Sequence, residues 1–214
     1  MRIAVDAMGG DHAPREIIKG AVEGLAVLGA HDELVLVGRE EVIAAELGGA
    51  RDPRIVVEHA AQVIGMDETP VEALKQKKDS SIVRMAIMAA NKEVDAVISA
   101  GNTGAYVAAC QLKMRTLGGV GRPGIAVVIP AFHGPLVICD VGANIAPKPF
   151  HLLQYAQMAP LFAESMLGIK EPRLGLLSIG QEEIKGNSLV KEARQLIKQD
   201  GRLNYVGNVE GRDL

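Results

Sequence analysis

A glycine- and asparagine-rich turn follows an apolar run near the middle of the chain. Val97 and Ile98 are typical of a buried parallel strand, and Gly101-Asn102-Thr103-Gly104 follows before a second apolar run. Glycine lets the backbone turn tightly, and Asn102 or Thr103 can cap the next helix. The free amides and the dipole of a helix start form a cradle for phosphate or carboxylate. The pattern indicates an anion site or, alternatively, only a tight turn between a strand and a helix.

Two other strand ends lead into turns of the same kind. The run 2–5 leads into DAMGGDHAP at 6–14, and the run 136–139 leads into CDVGAN at 139–144. Glycines permit unusual backbone angles there, and acids flank them. In open α/β sheets, ligands lie outside the carboxyl ends of the strands, so we expect the three turns to converge.

Composition narrows the class of protein. The chain has 214 residues, 48% of them hydrophobic, and a net charge of −3 from 23 basic and 26 acidic residues, so we expect a globular protein that does not bind nucleic acid. Two cysteines and five histidines show no metal-ligand or disulfide spacing, which favours a reducing cytoplasm and no metal site. We expect neither a secretory signal nor a membrane span.

The elements that must position these turns alternate between strands and helices, which predicts a doubly wound α/β fold. Strands at 125–130 and 135–139 break the alternation, because the four-residue link between them is too short for a crossover helix and predicts an antiparallel hairpin. The other predicted strands are 2–6, 33–38, 54–58, 95–99, 173–178 and 203–207, and the predicted helices are 14–28, 40–47, 70–76, 80–92, 104–115, 149–167 and 187–199.

Two basic features have more than one interpretation. Lys75, Lys77 and Lys78 precede a helix that starts at Ser80 or Ser81, and they either face an anionic partner or belong to a solvated helix end. Lys185 is the only cation in the loop after the strand at 173–178. It either neutralises a phosphate or a developing oxyanion, or is a surface lysine on a mobile loop.

Together these segments resemble the acyl-acyl carrier protein:phosphate acyltransferase family (PlsX) of bacterial phospholipid synthesis. The resemblance covers the whole chain because several unrelated motifs occur in the family's order. They are DAMGGDHAP at 6–14, KKDSS at 77–81, SAGNTGA at 99–105, CDVGAN at 139–144, EEIKGN at 182–187 and GNVEGRDL at 207–214.

The resemblance implies an enzyme that transfers a fatty acyl group from acyl carrier protein to inorganic phosphate, giving acyl phosphate without a cofactor or metal. It implies a homodimer, cytoplasmic or in peripheral contact with a membrane. The implied fold is a three-layer αβα sandwich with a mostly parallel, Rossmann-like sheet, similar to those of phosphotransacetylase and isocitrate or isopropylmalate dehydrogenase. Family chains continue past the equivalent of Leu214, so we expect residues 1–214 to be a single αβα domain truncated at its C-terminus.

Within this interpretation, the turns receive separate roles. Phosphate is a weak, heavily hydrated nucleophile, but thioesters are already activated. The protein therefore needs no covalent nucleophile and can position phosphate, remove some of its water and stabilise the oxyanion. Which turn binds phosphate and which binds pantetheine is open. We expect phosphate to be bound by Asn102, Thr103 and Gly104, and a ligand to approach the backbone closely at Gly9 and Gly10. Lys185 is expected to balance the charge of phosphate or oxyanion, and Asn187 and Asn144 to donate hydrogen bonds to the thioester carbonyl. Three acids are expected to orient those donors or to cap turns: Asp6, Asp11 and Asp140. His12 is either a general acid or base or a hydrogen-bonded loop residue.

Other interpretations are less favoured. A covalent mechanism through Cys110 or Cys139 is discounted because both lie on apolar elements without a neighbouring histidine. For docking of the acidic carrier we expect Lys75, Lys77, Lys78 and Arg84, with Arg51 and Arg54 as competitors.

Three other functions remain as alternatives. A dehydrogenase would require an acid cluster for metal and a dinucleotide fingerprint. A phosphotransacetylase would use acyl coenzyme A. A non-catalytic scaffold for lipid enzymes would bind a membrane surface without releasing free carrier.

Overall fold

In the computed structural model, which describes residues 1–49 and 52–214, four apolar runs from the first half of the chain form one parallel sheet. The strands are β1 (Arg2–Asp6), β2 (Glu33–Gly38), β3 (Ile55–His59) and β4 (Ala96–Ile98), and they pair in the order β3-β2-β1-β4. The sheet belongs to the first of two compact units, Met1–Arg115. Parallel strands place their carboxyl ends along one edge, so β1 and its neighbour β4 present their following turns side by side.

Helices cover both faces of this sheet. Alternate side chains of β2 point to opposite faces, and neighbouring residues of this strand pack against different helices. Leu36 packs in a cluster with residues of α1 (Arg15–Gly24) and α2 (Glu40–Leu47). Val35 packs in a different cluster with residues of α4 (Ser81–Ala90). Leu36 and Val35 are both fully buried. The first unit therefore has helix, sheet and helix layers.

A third apolar cluster fixes the helix that follows β4. It joins α3 (Pro70–Gln76), α4 and α5 (Thr103–Met114) through buried residues that include Leu74, Ile82 and Ala105. The sequence predicts that α4 starts at Ser80 or Ser81. In the structure Ser80 is the cap of α4, because its side chain accepts a hydrogen bond from the amide of Val83. The start of α5 is thereby held against α3 and α4.

The second unit, Thr116–Leu214, contains the predicted hairpin and a parallel strand pair. The hairpin strands β5 (Ala126–Ala131) and β6 (Gly134–Cys139) pair in antiparallel register and form a two-stranded sheet within the described part of the chain. The parallel pair is formed by β7 (Leu174–Leu177) and β8 (Tyr205–Val209). Two helices complete the unit: α6 (Pro149–Leu167) and α7 (Ser188–Gln199).

Most predicted element boundaries lie within two residues of those in the structure, and two of the differences have identifiable reasons. The helix predicted at 14–28 ends at Gly24 and continues only as a 3-10 turn, Leu25–Val27. The side chain of Arg54 donates to the carbonyl of Leu25 there, which gives the helix end a partner outside the helix. The strand predicted at 203–207 lies at Tyr205–Val209, with an irregular register beside Gly207, whose φ of 110° is unfavourable for other residues.

The α/β class, the parallel sheet and the antiparallel hairpin are thus confirmed, and the single αβα domain expected for residues 1–214 stays a prediction. Within the described ranges, no helix is both long enough and apolar enough to cross a bilayer.

Candidate active site

The turns after β1 and β4 interlock around one buried carboxylate. Asp6, the last residue of β1, is 1% exposed. Its Oδ2 accepts a hydrogen bond from Ser99 Oγ at 2.7 Å, and its Oδ1 accepts one from the Met8 amide at 3.1 Å. Ser99 Oγ in turn accepts the amide of Gly101 at 3.0 Å. Asp6 therefore holds the two turns together, and its predicted role of orienting Asn187 and Asn144 stays a prediction.

Close approach of these two turns requires glycine. A Cβ atom on Gly9 would lie 2.4 Å from Oδ2 of Asp6 and 2.9 Å from the amide nitrogen of Gly101. Gly10 has a φ of +119°, which side-chain-bearing residues rarely adopt. The turns at 6–14 and 99–104 thus converge as the sequence predicts, whereas the turn at 139–144 belongs to the second unit.

The side chain of Asn102 is fully occupied within the first unit. It is 7% exposed, and its Oδ1 accepts the amide of Ala105 at 3.0 Å, so it caps α5 as predicted. Its Nδ2 donates to the carbonyls of Gly65, Met66 and Glu68 at 3.0 to 3.2 Å. The expectation that this side chain binds phosphate is therefore corrected, because both amide hydrogens and the carbonyl already have partners.

The start of α5 still offers an anion two backbone donors. The amides of Thr103 and Gly104 have no acceptor among the residues that the structure describes. Thr103 is exposed at the first helical position, where a helix leaves its amides unpaired. Gly104 packs against α3, since a Cβ on it would lie 2.7 Å from Cγ of Pro70. A phosphate at this helix start would receive two N–H groups and the positive end of the dipole.

The two remaining candidates of the first turn are exposed. Asp11 and His12 lie at the surface, and no side-chain hydrogen bond joins either of them to another described residue. Their predicted roles as an orienting acid and a general acid or base stay predictions.

In the second unit, the turn after β6 is organised by its acid. Asp140 accepts amide hydrogen bonds from Ile125, Ala143 and Asn144 at 2.8 to 3.0 Å. Burial raises the pKa of the Asp140 carboxyl, but these hydrogen bonds outweigh it and hold the pKa below its ordinary value. The carboxylate is therefore a turn cap, one of the two roles expected for it.

Asn144 is also engaged in this turn. Its Nδ2 donates to the carbonyl of Pro123 at 2.7 Å and to Oδ2 of Asp140 at 3.1 Å. Both amide hydrogens are used, so in this arrangement Asn144 has none left for a thioester carbonyl. The role predicted for Asn144 would require the turn to rearrange.

The loop between β7 and α7 carries the predicted cation. Lys185 is exposed, and its ammonium group forms no ion pair with any described residue. Asn187 caps α7, because its Oδ1 accepts the amide of Val190 at 3.0 Å, and its Nδ2 has no partner within the described ranges. A cavity of about 390 Å³ lies beside this helix start and is lined by Leu177, Ser178, Ile179, Gly186, Asn187 and Val190.

The basic stretch before α4 divides into engaged and exposed lysines. Lys77 donates to the carbonyl of Val63 at 2.7 Å and pairs with Glu68, and Arg84 pairs with Glu58. Lys75 and Lys78 are exposed, so they fit the predicted docking role better than Lys77 or Arg84.

Of the two competing docking residues, Arg54 is bound by Asp52 and by carbonyls at the end of the first helix. Arg51 lies outside the described residues.

The two free cysteines, Cys110 and Cys139, are half-buried. Burial raises the pKa of Cys110, and burial together with the nearby Asp140 carboxylate raises the pKa of Cys139 to about 11. A thiol of this kind is protonated at neutral pH, and the nucleophilic form is the thiolate. This supports discounting a covalent cysteine mechanism.

Three residues that contact these turns and loops were not predicted from the sequence: Ser99, Glu68 and Asn208. Ser99 precedes the Gly-Asn-Thr turn and could have been suspected from its position at a strand end. Glu68 accepts the amide of Gly65, three residues earlier, and pairs with Lys77. Asn208 donates to the carbonyl of Glu182, 26 residues away, and no local pattern indicates so distant a partner. Within the described ranges, no group of three or more His, Cys, Asp and Glu side chains could hold a metal ion.

Comparison with known proteins identifies the family. A family model described as "Fatty acid synthesis protein" matches residues 1–214. The chain belongs to this family. The finding confirms the resemblance that the motifs in the turns predict.

Relatives of the fatty acid synthesis protein family carry a more specific name. The chain is 48% identical over 215 residues to "Phosphate acyltransferase" of Desulfitobacterium hafniense (strain DSM 10664 / DCB-2), covering 100% of this chain and 64% of that protein. It is 45% identical over 217 residues to "Phosphate acyltransferase" of Bacillus subtilis (strain 168), again covering 100% of this chain and 64% of the relative. The chain thus spans less than two thirds of these relatives.

Two solved structures with a similar fold are a phosphotransacetylase and a branched-chain phosphotransacylase. The EutD phosphotransacetylase from Staphylococcus aureus matches with a TM-score of 0.66 at 17% identity, over 98% of this chain and 68% of that one. A branched-chain phosphotransacylase from Enterococcus faecalis V583 matches with a TM-score of 0.58 at 14% identity, over 98% and 67%. At these identities the likeness concerns the fold, and it confirms the α/β architecture expected for this family.

Proposed function

We propose that this chain carries the phosphate acyltransferase activity for which its relatives are named. In this reaction, a fatty acyl group passes from the thioester of acyl carrier protein to inorganic phosphate. The products are acyl phosphate, for phospholipid synthesis, and the carrier's free thiol. The observation that carries the proposal is 48% identity over the whole chain to a protein of that name.

The chemistry requires a bound phosphate and a stabilised oxyanion. A phosphate oxygen attacks the thioester carbonyl, the carbonyl oxygen takes up negative charge, and the carbon–sulfur bond then breaks to release the thiolate, which takes a proton from solvent. Positioning the phosphate lowers the entropic cost of this attack. The start of α5 is the place in the first unit where the structure supports phosphate binding, through the amides of Thr103 and Gly104.

Two residues of the second unit suit the charge that develops. Lys185 has a cation without an ion-pair partner among the described residues, and we assign it to charge balance at phosphate or oxyanion. Asn187 has an uncommitted Nδ2 and is assigned as a donor to the thioester carbonyl. The exposed Lys75 and Lys78 are assigned to docking of the acidic carrier protein. A homodimer, a cytoplasmic location and peripheral membrane contact belong to the same proposal.

The test compares the purified chain with a Lys185→Ala variant. Each is incubated with a long-chain acylated carrier protein with and without phosphate, and release of carrier thiol is followed. We expect phosphate-dependent release that falls roughly 100-fold in the variant, the typical effect of removing one group that stabilises an oxyanion. Lys191→Ala is the matched control, because Lys191 is also exposed and lies on α7, six residues further along.

The same assay separates the alternatives. Release from acyl coenzyme A in preference to the acylated carrier would favour phosphotransacetylase chemistry instead. Membrane binding without any thiol release, by this chain and by a hybrid continued after Leu214 with the remainder of the Bacillus subtilis relative, would favour the non-catalytic scaffold.

A further inference from the structure

Asn208 is a buried polar residue on a strand that is otherwise mostly apolar. It lies on β8, is 9% exposed, and pairs in register with Leu176 of β7. Asparagine is disfavoured in strands, and burying its amide costs free energy unless hydrogen bonds compensate. Its position therefore requires a reason outside the strand pairing itself.

The reason lies in the loop that carries Lys185. The Nδ2 atom of Asn208 donates to the carbonyl of Glu182 at 3.1 Å and to that of Gly180 at 3.4 Å. The two carbonyl acceptors also fix the orientation of the amide, because the reverse orientation would place Oδ1 against two carbonyl oxygens. One side chain on β8 thus holds the loop at both Gly180 and Glu182.

Lys185 rests on the same two residues. Its amide donates to the carbonyl of Glu182 at 3.0 Å, so that one oxygen accepts from both Lys185 and Asn208. Its aliphatic stem passes close to Gly180, where an added Cβ would lie 2.8 Å from Cγ of Lys185. The backbone and the stem of the lysine are therefore both placed by atoms that Asn208 fixes.

The other side-chain ties of this loop to described residues are exposed and therefore weaker. Gln181 Nε2 donates to Oδ2 of Asp213 at 2.9 Å at the surface. Glu183 pairs with Lys198 of α7, but the two side chains are 74% and 46% exposed. Exposed ion pairs contribute little because water and salt screen them. A buried amide that would otherwise lack its hydrogen bonds costs more to disturb, so Asn208 is the principal anchor of the loop.

We propose that Asn208 is a positioning residue for Lys185, holding the loop 180–187 so that the lysine's ammonium group is presented to the reacting charge. The catalytic part of this inference rests on the proposed function. Its structural part, that Asn208 holds this loop closed, stands apart from the reaction.

Trypsin tests the structural part, since Lys185 is itself a cleavage site. In Asn208→Ala, we expect cleavage after Lys185 to be roughly tenfold faster, the effect of losing about one net hydrogen bond that keeps the loop closed. Cleavage at other sites and the urea midpoint should change much less. Asn204→Ala is the control. Asn204 directly precedes β8, and its side chain also donates to a backbone carbonyl, but to that of Glu171, which lies outside the loop 180–187.

Kinetics test the catalytic part through a double-mutant comparison. Asn208→Ala should lower kcat for phosphate-dependent thiol release roughly tenfold in the wild-type background. In the Lys185→Ala background it should have little further effect, because there is no lysine left to position. Asn208→Asp, which keeps the size but loses both N–H donors, should behave as Asn208→Ala does, and Asn204→Ala should match the wild type.

Two results would overturn the proposal. Unchanged cleavage after Lys185 in Asn208→Ala would show that the loop does not depend on Asn208. Equal losses of activity from Asn208→Ala with and without Lys185 would show a general structural effect. If the wild-type chain releases no carrier at all, the proposed function fails, while the trypsin result still decides whether Asn208 holds the loop.

Discussion

At the scale of single residues, the close approach of the turns after β1 and β4 depends on glycines, because a side chain there would collide with the neighbouring turn. Gly9 is the strongest case, since Asp6 and Gly101 occupy the space that a side chain at this position would need. Among the described residues, Asp6 accepts hydrogen bonds from Ser99 Oγ and the Met8 amide, so displacing it would leave a buried carboxylate without these hydrogen bonds.

We therefore expect Gly9→Ala to destabilise the chain. The overpacking should lower the free energy of unfolding by roughly 1–3 kcal/mol, as measured by urea denaturation. Gly20→Ala is the matched control, because Gly20 lies inside α1 with open space around it. There alanine should be neutral or stabilise by roughly 0.5–1 kcal/mol. Equal stabilities of Gly9→Ala and the wild type would contradict the close approach described for the two turns.

The sequence could not supply the partners of these residues. The Gly-rich turns and the cap of α5 were predictable because they depend on neighbours in the chain. The three carbonyls bound by Asn102 lie 34 to 37 residues away, and those bound by Asn208 lie 26 and 28 residues away. Asn102 was for this reason expected to face phosphate, whereas folding commits its side chain to the loop at 65–68.

At the scale of elements, the residue that caps a helix can also carry a donor for substrate. Asn102 at α5 and Asn187 at α7 both accept an amide of their own helix, but only Asn187 keeps its Nδ2 uncommitted among the described residues. The order of strands and helices was predictable, because apolar runs of strand and helix length alternate. The irregular register beside Gly207 was not, since it depends on pairing with β7.

Substitutions at Asn187 can separate its two roles. Asn187→Ala should lower stability by about 1 kcal/mol through loss of the cap, whereas Asn187→Ser should keep the cap and the stability. Both should lower kcat by about 100-fold if Nδ2 donates to the thioester carbonyl. Urea denaturation and carrier-thiol release measure the two effects. An Asn187→Ser variant with full activity would show that Asn187 is a cap alone.

At the scale of the whole molecule, the candidate residues are divided between two units. The first holds the interlocked turns and the open amides of α5, and the second holds Lys185, Asn187 and their loop. The predicted convergence is observed for the two turns within the first unit. The sequence could predict the parallel sheet and the hairpin, but strand patterns do not specify which strands pair across a chain of this length.

The central claim is that phosphate itself becomes the acyl acceptor. The most direct measurement is the appearance of label from [32P]phosphate in chloroform-soluble acyl phosphate, with palmitoyl carrier protein as donor and palmitoyl coenzyme A as comparison. We predict labelled acyl phosphate in amounts equal to the carrier thiol released, and far less with the coenzyme A thioester. Release of carrier thiol without label in the lipid fraction would mean that water is the acceptor and would contradict the account.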